Sequence, residues 1–233
     1  MKQNETLLNT LPNTNMDWID DLGDNHALTS YETPLRDDAF AMSEAEKMDK
    51  IEYHFREIMD AIGLDLTDDS LKGTPRRVAK MYIQEIFSGL DPANKPKGTL
   101  FENKYNYNQM LVEKDITFYS HCEHHFVPIH GRAHVAYIAS GKVIGLSKLN
   151  RIVQYFSRRP QVQERLTVQI AKELMQVLQT EDVAVVMDAR HLCVSSRGVE
   201  DVTSSTVTAY YGGKFEQDAT KQEFLKYLQL KAD

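Results

Sequence analysis

The spacing of apolar residues switches period repeatedly along this chain, and the order of those switches restricts the fold more than any other feature. Met48, Ile51, Phe55, Ile58, Met59 and Ile62 recur at helical spacing behind Ser43 and Glu46, which form a capping-box pair. Thr74 and Pro75 suit the cap and first position of a second helix, with Val78, Met81, Tyr82 and Ile86 on one face and Gly89 ending it. Beyond the loop DPANKPKG the pattern becomes that of strands over 109–119 and 126–138, and a turn at Ser140-Gly141 leads into KVIGL. LNRIVQYF returns to a helical pattern, and after Pro160 the residues Val162, Leu166, Ile170, Leu174 and Leu178 step by four. Strands resume in DVAVVMDARHLCV and DVTSSTVTAYY, and Phe224, Leu225 and Leu228 mark a short last helix. Helices, strands, two helices and strands again predict an α+β fold of antiparallel strands interrupted by two helices, with an N-terminal helical extension.

Three regions follow: an N-terminal arm over 1–42, rich in Asn, Thr and Asp; a helical region over 43–100; and a catalytic domain over 101–233. The chain has 233 residues, 42% of them hydrophobic, enough for one good core. No run reaches the roughly 18 apolar residues of a membrane span, and MKQNETLLNTLPNTNMDW lacks the apolar centre of a signal peptide, so a cytoplasmic location is expected. A net charge of -7 argues against nucleic acid or an anionic membrane as partner. Any anionic ligand must therefore meet a local group of cations. No GxxxxGK[ST] occurs, which excludes the P-loop manner of holding a nucleotide.

Both cysteines of the chain fall inside His-rich clusters, His121-Cys122-Glu123-His124-His125 and His191-Leu192-Cys193. Cys122, His125 and Cys193 are the donor types that Zn²⁺ prefers, and three protein ligands leave a fourth position for water, as catalytic sites do. Zinc lowers the pKa of such a water to about 7. His124 adjoins a ligand, and His191 would share a strand face with Cys193, so both are candidate proton carriers. The alternative is that the cysteines are small buried apolar residues and the histidines surface groups. His121-Cys122-Glu123 also reads as the H-x-E of zinc nucleobase deaminases, but the downstream P-C-x-x-C is missing.

GTPRRVAKMY from Gly73, SHCEHHFVPIHGRAHVAYI from Ser120, KVIGLSKLNRIV from Lys142, RRPQVQERLT from Arg158 and RHLCVSSRGVEDVTSSTVT from Arg190 resemble, in that order, the type I GTP cyclohydrolases. Arg132, Ala139 and Val194 depart from the family's usual Lys, Pro and Met, and none is an expected ligand. The resemblance implies the tunnelling fold (T-fold), an antiparallel sheet backed by two helices. It also implies opening of the guanine ring of GTP at C8, release of formate and closure to 7,8-dihydroneopterin triphosphate. Zinc would sit on Cys122, His125 and Cys193. His124 would pass protons to the imidazole nitrogens of the base, His191 would protonate the ribose ring oxygen, and Ser147 would bond the sugar hydroxyls.

The family pattern assigns Glu164 to N1–H and the 2-amino group of guanine, a donor pair that adenine lacks, with Gln163 supporting the same edge. It assigns Lys148, Arg151, Arg197, Arg77 and Lys80 to the triphosphate. A solvated helical face is the alternative for Arg77 with Lys80 and for Lys148 with Arg151, each pair being spaced by three. The family further implies a homodecamer of two pentamers with active sites between subunits, and open sheet edges agree with association. Two rivals to the enzyme reading are a related pterin or deazaguanine enzyme of the same fold and a structural zinc protein with a fourth protein ligand.

Overall fold

A computed structural model of the chain describes residues 30–97 and 100–230, and Glu32–Asp233 forms a compact unit. As far as residue 29, the expected arm lies outside the described residues. The first helix, α1 (Glu44–Ala61), starts where the capping box places it: Ser43 N donates to Glu46 Oε2 at 2.8 Å and Glu46 N to Ser43 Oγ at 3.3 Å. Such a cap is worth about 1 kcal/mol. Its apolar stripe is only partly covered, for Met59 is 3% exposed while Ile58 and Ile62 are 53% and 69% exposed. The second helix, α2 (Thr74–Met81), has Gly73 rather than Thr74 at its cap position. Thr74 Oγ1 instead accepts from Arg77 NH2 at 2.7 Å, which is why it stands inside the helix. A π-helical turn (Tyr82–Ile86) and two 3-10 turns (Ser88–Leu90, Pro92–Asn94) carry the chain on. Arg76 ties α2 to α1 through Asp49 (2.7 Å) and Glu52 (3.1 Å).

Short strands β1 (Leu100–Glu102) and, later, β4 (Lys142–Ile144) pair with each other. The main sheet comprises β2 (Met110–Cys122), β3 (Pro128–Ile138), β5 (Pro160–Gln161), β6 (Val183–His191) and β7 (Thr206–Tyr211), in the order β5-β2-β3-β6-β7. Its pairings are antiparallel apart from the two-residue contact of β2 with β5. The two helices between β4 and β6, α3 (Leu146–Ser157) and α4 (Gln163–Leu178), bury Leu149, Ile152, Leu166 and Ile170 against Phe118 and Val185 of the sheet. A helical turn, α5 (Leu192–Ser195), follows β6, and the last helix is α6 (Asp218–Gln229).

Two expected strands are shorter than their β-rich sequences suggest. β6 stops at His191, its last residue paired with β3, and Ser195 and Ser196 hydroxyls donate back to the carbonyls of His191 (3.3 Å) and Leu192 (2.6 Å). Cys193 is thus on a helical turn and not, as the period of two predicts, on a strand shared with His191. β7 begins only at Thr206, because the Asp201 carboxylate gathers Thr203 N, Thr203 Oγ1 and Ser204 N into a turn at 2.8, 2.8 and 3.3 Å.

A β-bulge decides which way the Cys122 end of β2 faces. Glu113 pairs with Val135 and Ile116 with Ala133, so Lys114 and Asp115 oppose His134 alone. Asp115 takes φ 59° and its N–H meets His134 Nδ1 at 3.1 Å. Side chains alternate across a strand, so an extra residue exchanges the faces. Met110 therefore joins the core under α6 with Ala136, Val186 and Phe224, whereas Ile116, Phe118 and Cys122 lie on the α3/α4 side.

Candidate metal centre

Cys122 ends β2 on the helix-covered face, His125 lies in the turn that follows, and Cys193 belongs to α5. Their ligand atoms all lie within 4.8 Å of one another. Both cysteines are free, Cys122 buried and Cys193 partly so, and Cys122 Sγ is 3.8 Å from the Nδ1 atoms of both His124 and His125. Burial, reinforced by the neighbouring Cys122 sulfur, pushes the Cys193 thiol from 9.0 up to about 11. Such a thiol, held protonated beside a second sulfur, is what a divalent cation would relieve, and two sulfurs with one imidazole are a zinc-type donor set. The residues fit the ion.

His191, the last residue of β6, points to the same side and meets Gln163. Gln163 is 1% exposed, and its Nε2 donates to Met187 O (3.2 Å), Thr206 O (2.9 Å) and Thr208 Oγ1 (3.1 Å). Two carbonyls on that side fix which end of the amide carries nitrogen. Its oxygen must then accept from His191 Nε2, 2.7 Å away, which leaves Nδ1 as the open nitrogen of His191. Burial lowers the proton affinity of His191, and the Glu164 carboxylate opposes that shift. Glu164 itself is exposed in the first turn of α4.

Arg197 reaches the cluster, its NH1 lying 3.0 Å from His125 Nε2. Cys122, His125, Cys193, His124 and Arg197 are thus brought together, with His191, Gln163 and Glu164 adjoining through the α4 terminus. Lys148 and Arg151 stand elsewhere, lining a cavity of about 410 Å³ with Lys97 and Arg158 between α3 and the turns around Ser88–Asn94. Ser147 is exposed beside them in the first turn of α3. The cavity wall is close-packed: a side chain on Gly89 would meet Tyr155 O at 2.0 Å. Arg77 bonds its own helix start, at Ser70 O (3.1 Å) and Thr74 Oγ1, and Lys80 is exposed on α2. Lys97, Arg158 and the buried Arg165 escape sequence reasoning, since a lone cation in a loop or helix carries no periodic signal.

A mixed sheet-and-helix fold with a metal-competent cluster flanked by histidines defines an α+β protein with a candidate metal centre. The model of the family GTP cyclohydrolase I matches residues 51–229. The chain is 59% identical over 216 residues to GTP cyclohydrolase 1 of Flavobacterium johnsoniae, covering 93% of this chain and 97% of that one. It is 58% identical over 195 residues to GTP cyclohydrolase 1 of Vibrio parahaemolyticus, covering 83% and 89%. The chain belongs to the GTP cyclohydrolase I family, and its α+β architecture is the T-fold expected from the sequence.

Proposed function

We propose that the chain is a zinc-dependent GTP cyclohydrolase that hydrolyses GTP at guanine C8, releases formate and closes the product to 7,8-dihydroneopterin triphosphate. The convergence of Cys122, His125 and Cys193 within 4.8 Å, next to the α4 turn that bears Glu164, carries this reading. Zinc on those three residues would supply Lewis acidity and an acidified water at neutral pH. Glu164 accepts from N1–H and the 2-amino group of guanine, and adenine would leave its carboxylate unpaired. His124, exposed beside the cluster, moves protons at the imidazole nitrogens of the base. With its Nε2–H held by Gln163, His191 takes up a proton at Nδ1 and gives that proton to the ribose ring oxygen. Gln163 acts on the substrate edge through this hold.

Ser147 bonds the sugar hydroxyls, and Lys148, Arg151, Arg197, Arg77 and Lys80 bind the triphosphate. These cations are spread over three places in one chain, so the reading includes assembly: a homodecamer with active sites between subunits. Residues 43–100 serve it as the helical region and 101–233 as the catalytic domain. A cytoplasmic location completes the proposal, and no helix among the described residues is long and apolar enough to cross a membrane. Incubation of the zinc-loaded protein with GTP should release formate and yield a product that fluoresces after oxidation. Absence of both overturns the assignment.

A further inference from the structure

We infer that Arg165 is a positioning residue that clamps the metal-bearing turn to the first turn of α4 by gripping Glu123, an inference that rests on the metal reading above. Glu123 lies between the ligand Cys122 and the pair His124-His125. Its two carboxylate oxygens accept from Arg165 NH1 at 2.5 Å and NH2 at 3.1 Å, a bidentate pair. The Arg165 side chain is 4% exposed and that of Glu123 20% exposed. A second tie joins the turn to β5, which leads into α4: Glu123 N donates to Gln161 O at 3.1 Å beside the Cys122–Gln161 pairing of β2 with β5.

The turn carries backbone strain at Phe126 that such ties offset. Between β2 and β3 it is closed by two backbone bonds, Cys122 N to Val127 O (2.9 Å) and Phe126 N to Cys122 O (2.8 Å), and it forces Phe126 into a left-handed φ of 54°. On the other side of the clamp, Gln163 holds His191 and Glu164 presents its carboxylate within the same helical turn as Arg165. One ion pair thereby makes the ligand turn, the proton donor and the base reader a single body. Stability alone does not explain it, since an apolar pair of similar volume is often as stable as a buried ion pair. Glu123 Oε1 also lies 3.9 Å from His124 Nε2, so the carboxylate that Arg165 grips stands beside a candidate proton carrier.

The test measures Zn²⁺ affinity of the full-length protein by competition with a chromogenic chelator, together with the visible spectrum of the Co²⁺-substituted protein. Arg165→Met should weaken Zn²⁺ binding by about 10–100-fold, the usual effect of removing a partner that orients a ligand, and should alter the Co²⁺ bands. Arg165→Lys, which keeps the charge without the fork, should not restore affinity. The double variant Glu123→Met/Arg165→Met should regain thermal stability yet stay weak for Zn²⁺, a split that a merely structural role would not give. Should Arg165→Met not fold, Glu123→Gln keeps the shape, removes the gripped charge and carries the same expectation. Wild-type affinity and an unchanged Co²⁺ spectrum in a folded variant overturn the clamp while leaving the metal reading intact. Failure of the wild type itself to bind Zn²⁺ overturns both.

Discussion

Gln163 spends its whole amide on the protein, and that fact reassigns how it serves the site. Gln163→Leu would leave Thr206 O, Met187 O and His191 Nε2 without this partner in a buried setting. The expected loss is about 2–4 kcal/mol of stability in denaturant titration, with turnover reduced more than GTP affinity because His191 loses its fixed orientation. The grouped residues Cys122, His125 and Cys193 were legible as residue types, since two cysteines embedded in histidines are a strong chemical signal. Gln163's bonds were not, because they join residues far apart in sequence. A second expectation concerns Cys193 in the metal-free protein. Its folded value of about 11 lies above the ordinary 9.0, so the folded chain keeps a proton that the unfolded chain gives up between those values. That contribution is intact below about pH 9 and is lost as pH rises towards 11. Denaturant unfolding of chelator-stripped protein should show this decline, and Cys193→Ser should show less of it.

At the scale of elements, the period of apolar residues located α1, α3, α4 and the central strands, because each buries one face and burial leaves a period. What it missed are places where a side chain overrides the strand pattern: the Asp201 turn ahead of β7, the serine-backed turn that carries Cys193, and the bulge in β2. The bulge matters most, since it turns Met110 towards α6 and Cys122 towards α4 within one strand. Asp tolerates the left-handed φ of 59° at residue 115 better than most residues do, and a β-branched residue there is strained. Asp115→Val should therefore lose about 1–2 kcal/mol in denaturant unfolding and weaken Zn²⁺ binding. Asp115→Gly should hold both, because glycine accepts this conformation freely. Equal behaviour of the two variants would show that the bulge does not depend on the backbone at this position.

The whole molecule leaves two surfaces unfinished. The stripe of α1 that includes Ile58 and Ile62 is exposed, and the cations assigned to the triphosphate are divided between the cluster, the cavity beside α3 and the α2 face. Lys97, Lys148, Arg151 and Arg158 line that cavity with no carboxylate among its lining residues, in a chain whose net charge is -7. A local concentration of positive charge on an acidic protein suits a polyphosphate, yet none of the metal ligands belongs to the same wall. Composition and periodicity cannot reveal such a division, because it depends on which distant side chains the fold brings to one wall. If the cavity of one subunit serves the metal cluster of its neighbour, two defects in different chains can complement each other. His125→Ala and Arg151→Ala homo-oligomers should each be nearly inactive. Unfolding and refolding them together in equal amounts should restore activity to about a quarter of wild type, the chance that a site draws an intact cluster from one chain and an intact cavity from another. Sites built within one chain would leave every subunit with a single defect and restore none, so mixed-oligomer activity decides between the two arrangements.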